Sequence, residues 1–230
     1  VGELRIHEAA NYIGLKPPAL SANQTWTWPA TKASSACDVL TCDGCGVLSF
    51  ATASGGGNLV LLGSQEVSGC SSSAVTFTNL SATYESYLMV FNVQATNDGA
   101  AWGMRLGCSG GIKTGACDYE WAQAHFLSSS CAYNDGEDAA DCEIQIFDAS
   151  GNNCDEGVAG TFWLHTDGDC SAHPVVTGHG VTTYCSGVMA AAFFGGTLRT
   201  SVAVTQWQLR NRSGNIAAGG RATLYGLKHT

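Results

Sequence analysis

The sequence predicts an all-β protein in two parts. A stalk of small strands covers residues 1–62, and an antiparallel β-sandwich or jelly roll covers 74–230 beyond a joint at 63–73. Three observations predict it. The first 62 residues hold strand-like pieces of only three to five residues, stopped by Pro17-Pro18, Pro29 and Asp43-Gly44. From about Ala74 the pieces lengthen, and clusters of turn residues separate them. No convincing stretch places its apolar residues at the spacing of a long amphipathic helix.

The stalk pieces are 4–6, 12–15, 25–28, 39–41, 47–51 and 58–62. Proline has no N–H for a ladder and stops a strand. Asp-Gly suits a tight hairpin turn, because glycine accepts positive φ. Strands this short do not fold alone. They need partners, and identical chains are the nearest available, so a fibrous homo-oligomer is expected. Residues 52–57 (TASGGG) and the Gly/Ser-rich 63–73 read as loop and joint.

In the head, strands are expected at 75–78, 87–93, 101–106, 119–127, 143–147, 158–165, 175–184, 188–194, 200–209 and 221–227. Asn97-Asp98-Gly99, Asn134-Asp135-Gly136, Thr166-Asp167-Gly168 and Ser213-Gly214-Asn215 are among the turns between them. The run 87–93 (YLMVFNV) is almost continuously apolar, the pattern of a strand buried on both faces. The run 119–127 (YEWAQAHFL) also admits a helical reading. On 202–209, Val202, Val204, Gln206 and Gln208 are expected on one face and Ala203, Thr205, Trp207 and Leu209 on the other.

Only 13% of residues are charged, against about a quarter in ordinary domains, and glycine is abundant at 29. Low charge with many small residues suits tightly paired β structure. The net charge of −9, from 19 acids and 10 scattered bases, argues against nucleic acid and anionic membranes as partners. No apolar run reaches the ~18–20 residues of a membrane span. Eleven cysteines indicate a protein that works outside a reducing cytosol. Cys42-x-x-Cys45 has zinc-ligand spacing, but no second pair follows at a suitable distance, so disulfides are the preferred reading. Gly107, Gly110, Gly111 and Gly115 make the loop between Cys108 and Cys117 pliable, which makes that pair the leading local bridge. Cys37, Cys42 and Cys45 leave one thiol over after any internal pair, and a link between chains is expected there.

The run GELRIHEAANYIGLKPPALSANQTWTWPATKASSACDVLTCDGCGVLSFA, residues 2–51, resembles the repeating shaft of bacteriophage fibre proteins. In that family a piece like NYIGLKPPA leads to one like TWTWPA, followed by one like VLTCDGCGVLSFA. Relatives typically carry Thr-Asp-Gly-Ser-Gly and then Leu-Ser-Trp in that last piece. This chain departs with Cys42 and Cys45 around Asp43-Gly44, and with Phe50 near the usual tryptophan. At the other end, ATLYGLK (222–228) resembles the closing strand of the family's trimeric jelly-roll heads. The resemblance implies a virion structural protein, a tail or head fibre or capsid decoration, without enzymatic activity or cofactor. It would be a homotrimer displayed on the virion surface. Its N-terminal segment would meet other virion proteins, and its head would meet host glycans. The acidic balance favours neutral or cation-bridged targets.

The chemical candidates are these. Trp102, Trp121 and Trp163 are the candidate aromatic faces for sugars, with core or interface packing the favoured role for each. Asp118 with Glu120, and Asp141 with Glu143, are the carboxylate pairs a polysaccharide depolymerase would need. Asp135, Glu137, Asp138 and Asp141 crowd one loop, and His165, Asp167, Asp169 and His173 another; solvated turns are favoured over cation sites. Cys108-Ser109-Gly110-Gly111 has the look of a serine-nucleophile loop but is better read as a turn. Asn23, Asn79 and Asn211 open glycosylation sequons. A secreted carbohydrate-binding module of cellular origin stays open as an alternative.

Overall fold

The structure, a computed structural model, describes residues 4–8, 11–15, 27–34, 38–42, 45, 47–52, 58–68, 72–78, 80–129, 133–153, 156–166 and 172–228. It forms two compact units, residues 1–56 and 57–230. Every regular element among the described residues is a strand.

The first unit holds two hairpins. Strand β1 (Leu4–Glu8) pairs antiparallel with β2 (Asn11–Leu15), and β3 (Asp38–Cys42) with β4 (Leu48–Thr52). Thr27 bridges Val47 in parallel through the Leu48 amide, 2.8 Å from the Thr27 carbonyl. Of the expected stalk strand 25–28, that bridge is the part described; Asp43 and Gly44 lie outside the described residues. Val39 and Leu40, neighbours that point to opposite faces of β3, are 46% and 45% exposed. Both faces of this hairpin are therefore uncovered within one chain.

The second unit begins one strand earlier than the sequence suggested. The apolar run from Leu59 does not end a stalk at Leu62 and give way to a joint at 63–73. Leu59–Glu66 is one strand, β5, bonded along β17 (Arg221–Leu227) with a bulge near Leu62. The remaining strands are β6 (Ala74–Thr78), β7 (Ser86–Val93), β8 (Ala100–Cys108), β9 (Gly111–Ile112), β10 (Tyr119–Leu127), β11 (Tyr133–Asp141), β12 (Ile144–Ser150), β13 (Val158–His165), β14 (Val175–Thr183), β15 (Met189–Leu198) and β16 (Gln206–Asn211). One antiparallel sheet has eight strands in the order β11-β10-β15-β14-β13-β7-β17-β5. The other runs β12-β8-β16-β6, with β9 paired to β8. The chain crosses between the sheets repeatedly, so neither is a continuous stretch of sequence.

The two inner faces share one core. Met89, Phe91, Phe162, Leu164 and Phe194 from the larger sheet meet Trp102, Met104, Leu106, Phe147 and Trp207 from the smaller. Phe162 lies 6.4 Å from Trp207 and Phe147 lies 6.1 Å from Phe194, ring centre to ring centre. Tyr119 ties the sheets with polar bonds. Its hydroxyl donates to the Leu106 carbonyl and accepts from the Leu106 amide, both at 2.9 Å. Burial pushes its pKa well up, with the Leu106 bond pulling the other way. Tyr87 is pushed up to about 12 by burial and by neighbouring Tyr84, while its bond to the Ser81 carbonyl pulls it down.

Two expectations change here, and the strand expected at 119–127 holds over its helical alternative. Strand β7 is buried on one face only: Tyr87, Met89, Phe91 and Val93 are buried while Val90 is 40% exposed. Residues 119–127 are a strand, since both β11 and β15 pair along them. The strict alternation expected from Val202 to Leu209 fails, because strand structure starts only at Gln206; Val204 and Trp207 are both buried.

Candidate functional site

A cleft of about 750 Å³ opens at the β11 end of the eight-stranded sheet. It is lined by Glu120, Trp121 and Ala122 of β10, Glu137, Asp138 and Ala139 of β11, Val175 of β14, and Gly195, Gly196 and Thr197 of β15. The register explains why it is there. Ala122 stands opposite Gly195, which stands opposite Thr177, so across β10, β15 and β14 this row carries only small side chains, before Trp163 on β13. The row beside it runs Glu120, Thr197, Val175. A Cβ on Gly196 would come within 2.9 Å of the Glu120 carbonyl and of Ile144, so that position has no room for a larger residue.

The walls carry the chemistry. Strand β11 lies at the edge of its sheet, where charged side chains are tolerated, and brings Glu137 opposite Ala122 and Asp138 opposite Trp121. The Trp121 ring is half-buried, and its indole N–H donates to Asp141 at 3.1 Å, which fixes the ring plane. Burial raises the Asp141 carboxyl, but the bonds from Trp121 and the Cys142 amide, with the Arg212 charge, overcome it and hold the pKa below its ordinary value. Arg199 closes one side: its guanidinium donates to the Ala139 carbonyl at 2.8 Å and stands 4.0 Å from Glu120. Trp121 shares the inner side of β10 with Tyr119 and Gln123 and packs against the core, so it borders the cleft without forming a ring face over its floor. The cleft offers a small-residue floor and three carboxylates able to accept from hydroxyl or ammonium donors, a chemistry that suits the hydroxyl groups of a sugar.

Trp121 is the one tryptophan of the three candidates that lines this cleft. Trp102 is fully buried and donates its indole N–H to Ser150 at 2.6 Å, so no sugar reaches it; it is a core residue. Trp163 lies on the outer face of β13, half-buried and stacked on His165 at 6.3 Å, opposite Thr177 in the row of Ala122 and Gly195 but not among the residues that line the cleft. The carboxylate pairs have other partners. Asp118 accepts from the Gly115 amide at 2.6 Å and closes the turn before β10. Glu143, with a side chain only 3% exposed, is held by Arg212 at 2.7 Å, Arg210 at 2.9 Å and Arg105 at 3.5 Å. Asp141 pairs with Arg212 at 3.2 Å. Ser109 sits with Gly110 in the two-residue turn between Cys108 and Gly111, as a turn reading of that string requires.

The second acidic loop falls largely outside the described residues, which exclude 167–171; the side chain of Asp135 is likewise undescribed. Among the described residues no three His, Cys, Asp or Glu gather as metal ligands. Cys108 and Cys117 carry free thiols, as do Cys42, Cys142 and Cys185, while Cys45 is exposed and Cys37 lies outside the described residues. Asn211 is 1% exposed and donates to the Asn215 carbonyl at 3.0 Å, which leaves its sequon closed to glycosylation. Asn23 and Asn79 lie outside the described residues.

The sequence missed one polar cluster altogether. His125 points into the core, 3% exposed, and its Nδ1 lies 2.9 Å from the Tyr184 hydroxyl. That hydroxyl donates to Asp148 at 2.9 Å. Burial holds the His125 pKa below its ordinary value, against the pull of Asp148. Burial, then Asp148, push Tyr184 well up. His125 Nε2, Gln123 Oε1 and Thr182 Oγ1 are buried without hydrogen-bond partners among the described residues. Isolated polar residues inside apolar strands carry no signature that marks them as neighbours.

No protein-family model matches this chain, and neither a curated protein nor a solved structure is similar to it.

Proposed function

We propose that this chain is a structural protein of a phage virion, a tail or head fibre or capsid decoration. Three copies intertwine through the N-terminal unit and display a jelly-roll head for contact with host-surface glycans. The observation that carries this reading is the hairpin β3–β4. Its strands have five residues each, and its apolar side chains are exposed on both faces, with Val39 at 46%, Leu40 at 45% and Phe50 at 40%. A hairpin of this size is at best marginal alone. Copies of the same segment supply the missing cover, and the shaft resemblance of residues 2–51 supports three of them.

In this reading the N-terminal segment also meets other virion proteins, and the cleft around Trp121 is the glycan contact. The reading needs no nucleic acid, no membrane insertion, no cofactor and no catalytic step. The reading also expects disulfide bonds: Cys108 and Cys117, free thiols in this structure, would pair within the head on oxidation, and one or more of Cys37, Cys42 and Cys45 would pair between copies. Light scattering of the whole chain tests the assembly, with a trimer mass expected; a monomer in native buffer overturns it and favours a single carbohydrate-binding module. A glycan array compared with Trp121→Ala tests the contact. Turnover of purified host polysaccharide would point instead to a depolymerase.

A further inference from the structure

We infer that the glycan site of the head does not stop at the cleft: it continues across the strands to Trp163 and takes a linear glycan that carries free amino groups. The inference rests on the reading above that the head contacts glycans, and adds the direction, length and charge of the chain it takes.

The register lays the site out. One row on the outer face runs Glu137, Ala122, Gly195, Thr177, Trp163, with one residue from each of β11, β10, β15, β14 and β13. Between its two ends nothing is larger than threonine. The row on one side holds Glu120, Thr197, Val175 and His165. On the other side Phe193, 60% exposed, and His179 stand on β15 and β14. Alternation along each strand puts all three rows on the same face of the sheet. A low row between two taller ones is a trough, and this one runs across the strands. The cleft is its β11 half, and Val175 is the residue of its lining nearest β13. The next strand brings His165 opposite Val175 and Trp163 opposite Thr177. The Trp163 and His165 rings lie within 15° of parallel, so the histidine holds the tryptophan in one orientation.

Shape and charge select the occupant. Four steps of about 4.8 Å between neighbouring strands make the trough about 19 Å long, room for roughly four linked pyranose rings. It lies on a sheet face, where neighbouring strands already take up the backbone groups, so it offers an extended peptide no ladder to join. It offers instead an aromatic side chain at one end and carboxylates at the other, the mixture that holds a sugar by its C–H face and its polar groups. Glu120, Glu137 and Asp138 have one cation beside them: Arg199, 4.0 Å from Glu120 and bonded to the Ala139 carbonyl. The whole chain carries −9. A uronate would meet like charge here, whereas an ammonium gains charge-assisted bonds.

Calorimetric titration of the whole chain with glucosamine oligomers tests this, from the monomer to the hexamer. Affinity is expected to rise with each unit up to about the tetramer and then level off, where the trough is filled. The N-acetylated tetramer, which carries no charge, is expected to bind about tenfold more weakly or worse, and a galacturonate tetramer not at all. Equal or tighter binding of either overturns the preference for amines. Gly195→Leu raises a side chain from the floor at a position where a Cβ meets only the Val176 carbonyl, at 3.5 Å, so the fold accepts it. It is expected to abolish binding, and unchanged binding overturns the trough. Trp163→Ala is expected to weaken the tetramer about tenfold or more and to spare the dimer, which sits among the carboxylates. The same loss for both, or none, overturns the far end. Should Trp163→Ala fail to fold, oxidation of Trp163 by N-bromosuccinimide in the wild type decides: protection by the tetramer supports the contact, and an unchanged rate refutes it. If glucosamine oligomers do not bind while a glycan array finds another ligand, the inference falls and the proposed function stands. A chain that binds nothing on the array overturns the glycan contact itself.

Discussion

The two sheets of the head bury alike and face outward unlike. Their inner faces carry the same kinds of side chain and share one core. Outside, the eight-stranded sheet shows Phe126, Phe193, Val181, Val90 and Leu61. The outer positions of the four-strand row β12-β8-β16-β6 read Gln206, Gln208 and Arg210 along β16, with Arg105 beside them on β8. Glu143 lies over this second face, clasped by Arg105, Arg210 and Arg212. Gly103 makes room for it: a Cβ there would lie 2.9 Å from the Glu143 carboxylate. The smaller sheet thus satisfies its outer polar groups internally and is finished as a water-facing surface. The larger one presents apolar area with nothing of its own chain over it among the described residues. Alternation alone does not say which face is finished; the chemistry of the outward positions does.

The largest expected effect tests the shared half of this comparison. Trp207→Ala removes a fully buried ring packed beside Phe162 and Met104, and is expected to cost about 3–5 kcal/mol in a denaturant titration. Leu61→Ala, on the outer face, is expected to change the stability of the isolated head fold by less than about 0.5 kcal/mol. Equal costs would mean the outer face is not the free surface described here.

Next comes the ionic clasp. Glu143→Gln leaves three arginines without their shared anion, and is expected to cost about 2–3 kcal/mol. That is below the ~3–5 kcal/mol of a fully buried pair, because the arginine side chains keep 16–23% of their surface exposed. A change under about 1 kcal/mol would reclassify the cluster as ordinary surface pairing.

His125 supplies a pH test of the inner face. Its folded pKa lies below the unfolded value of 6.5, so the unfolded chain binds the extra proton first as pH falls. The stabilisation is complete above about pH 6.5 and declines below it until the folded pKa is reached, by at most about 1.4 kcal/mol per pH unit. Thermal melts between about pH 7 and 5 should show this slope in the wild type and lose it in His125→Gln. Identical slopes would remove His125 from the account.

The smallest effect belongs to the sheet's border. Arg221 pairs with Glu66 across β17 and β5, with both side chains about half exposed. Arg221→Ala is expected to cost about 0.2–1 kcal/mol and to become neutral in high salt.

Much of the head was legible. The spans 119–127, 158–165 and 221–227 coincide with β10, β13 and β17, because their β-branched and aromatic residues alternate between turn clusters. Strand β11 was not legible. Its residues YNDGEDAAD have poor strand propensity and read as an acidic loop, and pairing with β10 is what makes them a strand. That misreading hid half of the cleft wall, since Glu137 and Asp138 belong to β11. Trp121 was legible as an aromatic candidate, but nothing local separated it from Trp102, which the fold buries completely.

The sequence by itself determined the all-β class and most strand positions, because periodicity, turn residues and proline breaks act over a few residues. Tertiary structure alone decided that Leu59–Glu66 joins the head, since its partner β17 lies more than 150 residues away. It also decided that Trp102 and Trp207 are core residues, which histidine is buried, and which outer face is left apolar. Those outcomes depend on register and on the order of strands across a sheet. Both are set by contacts between distant segments that no local pattern encodes.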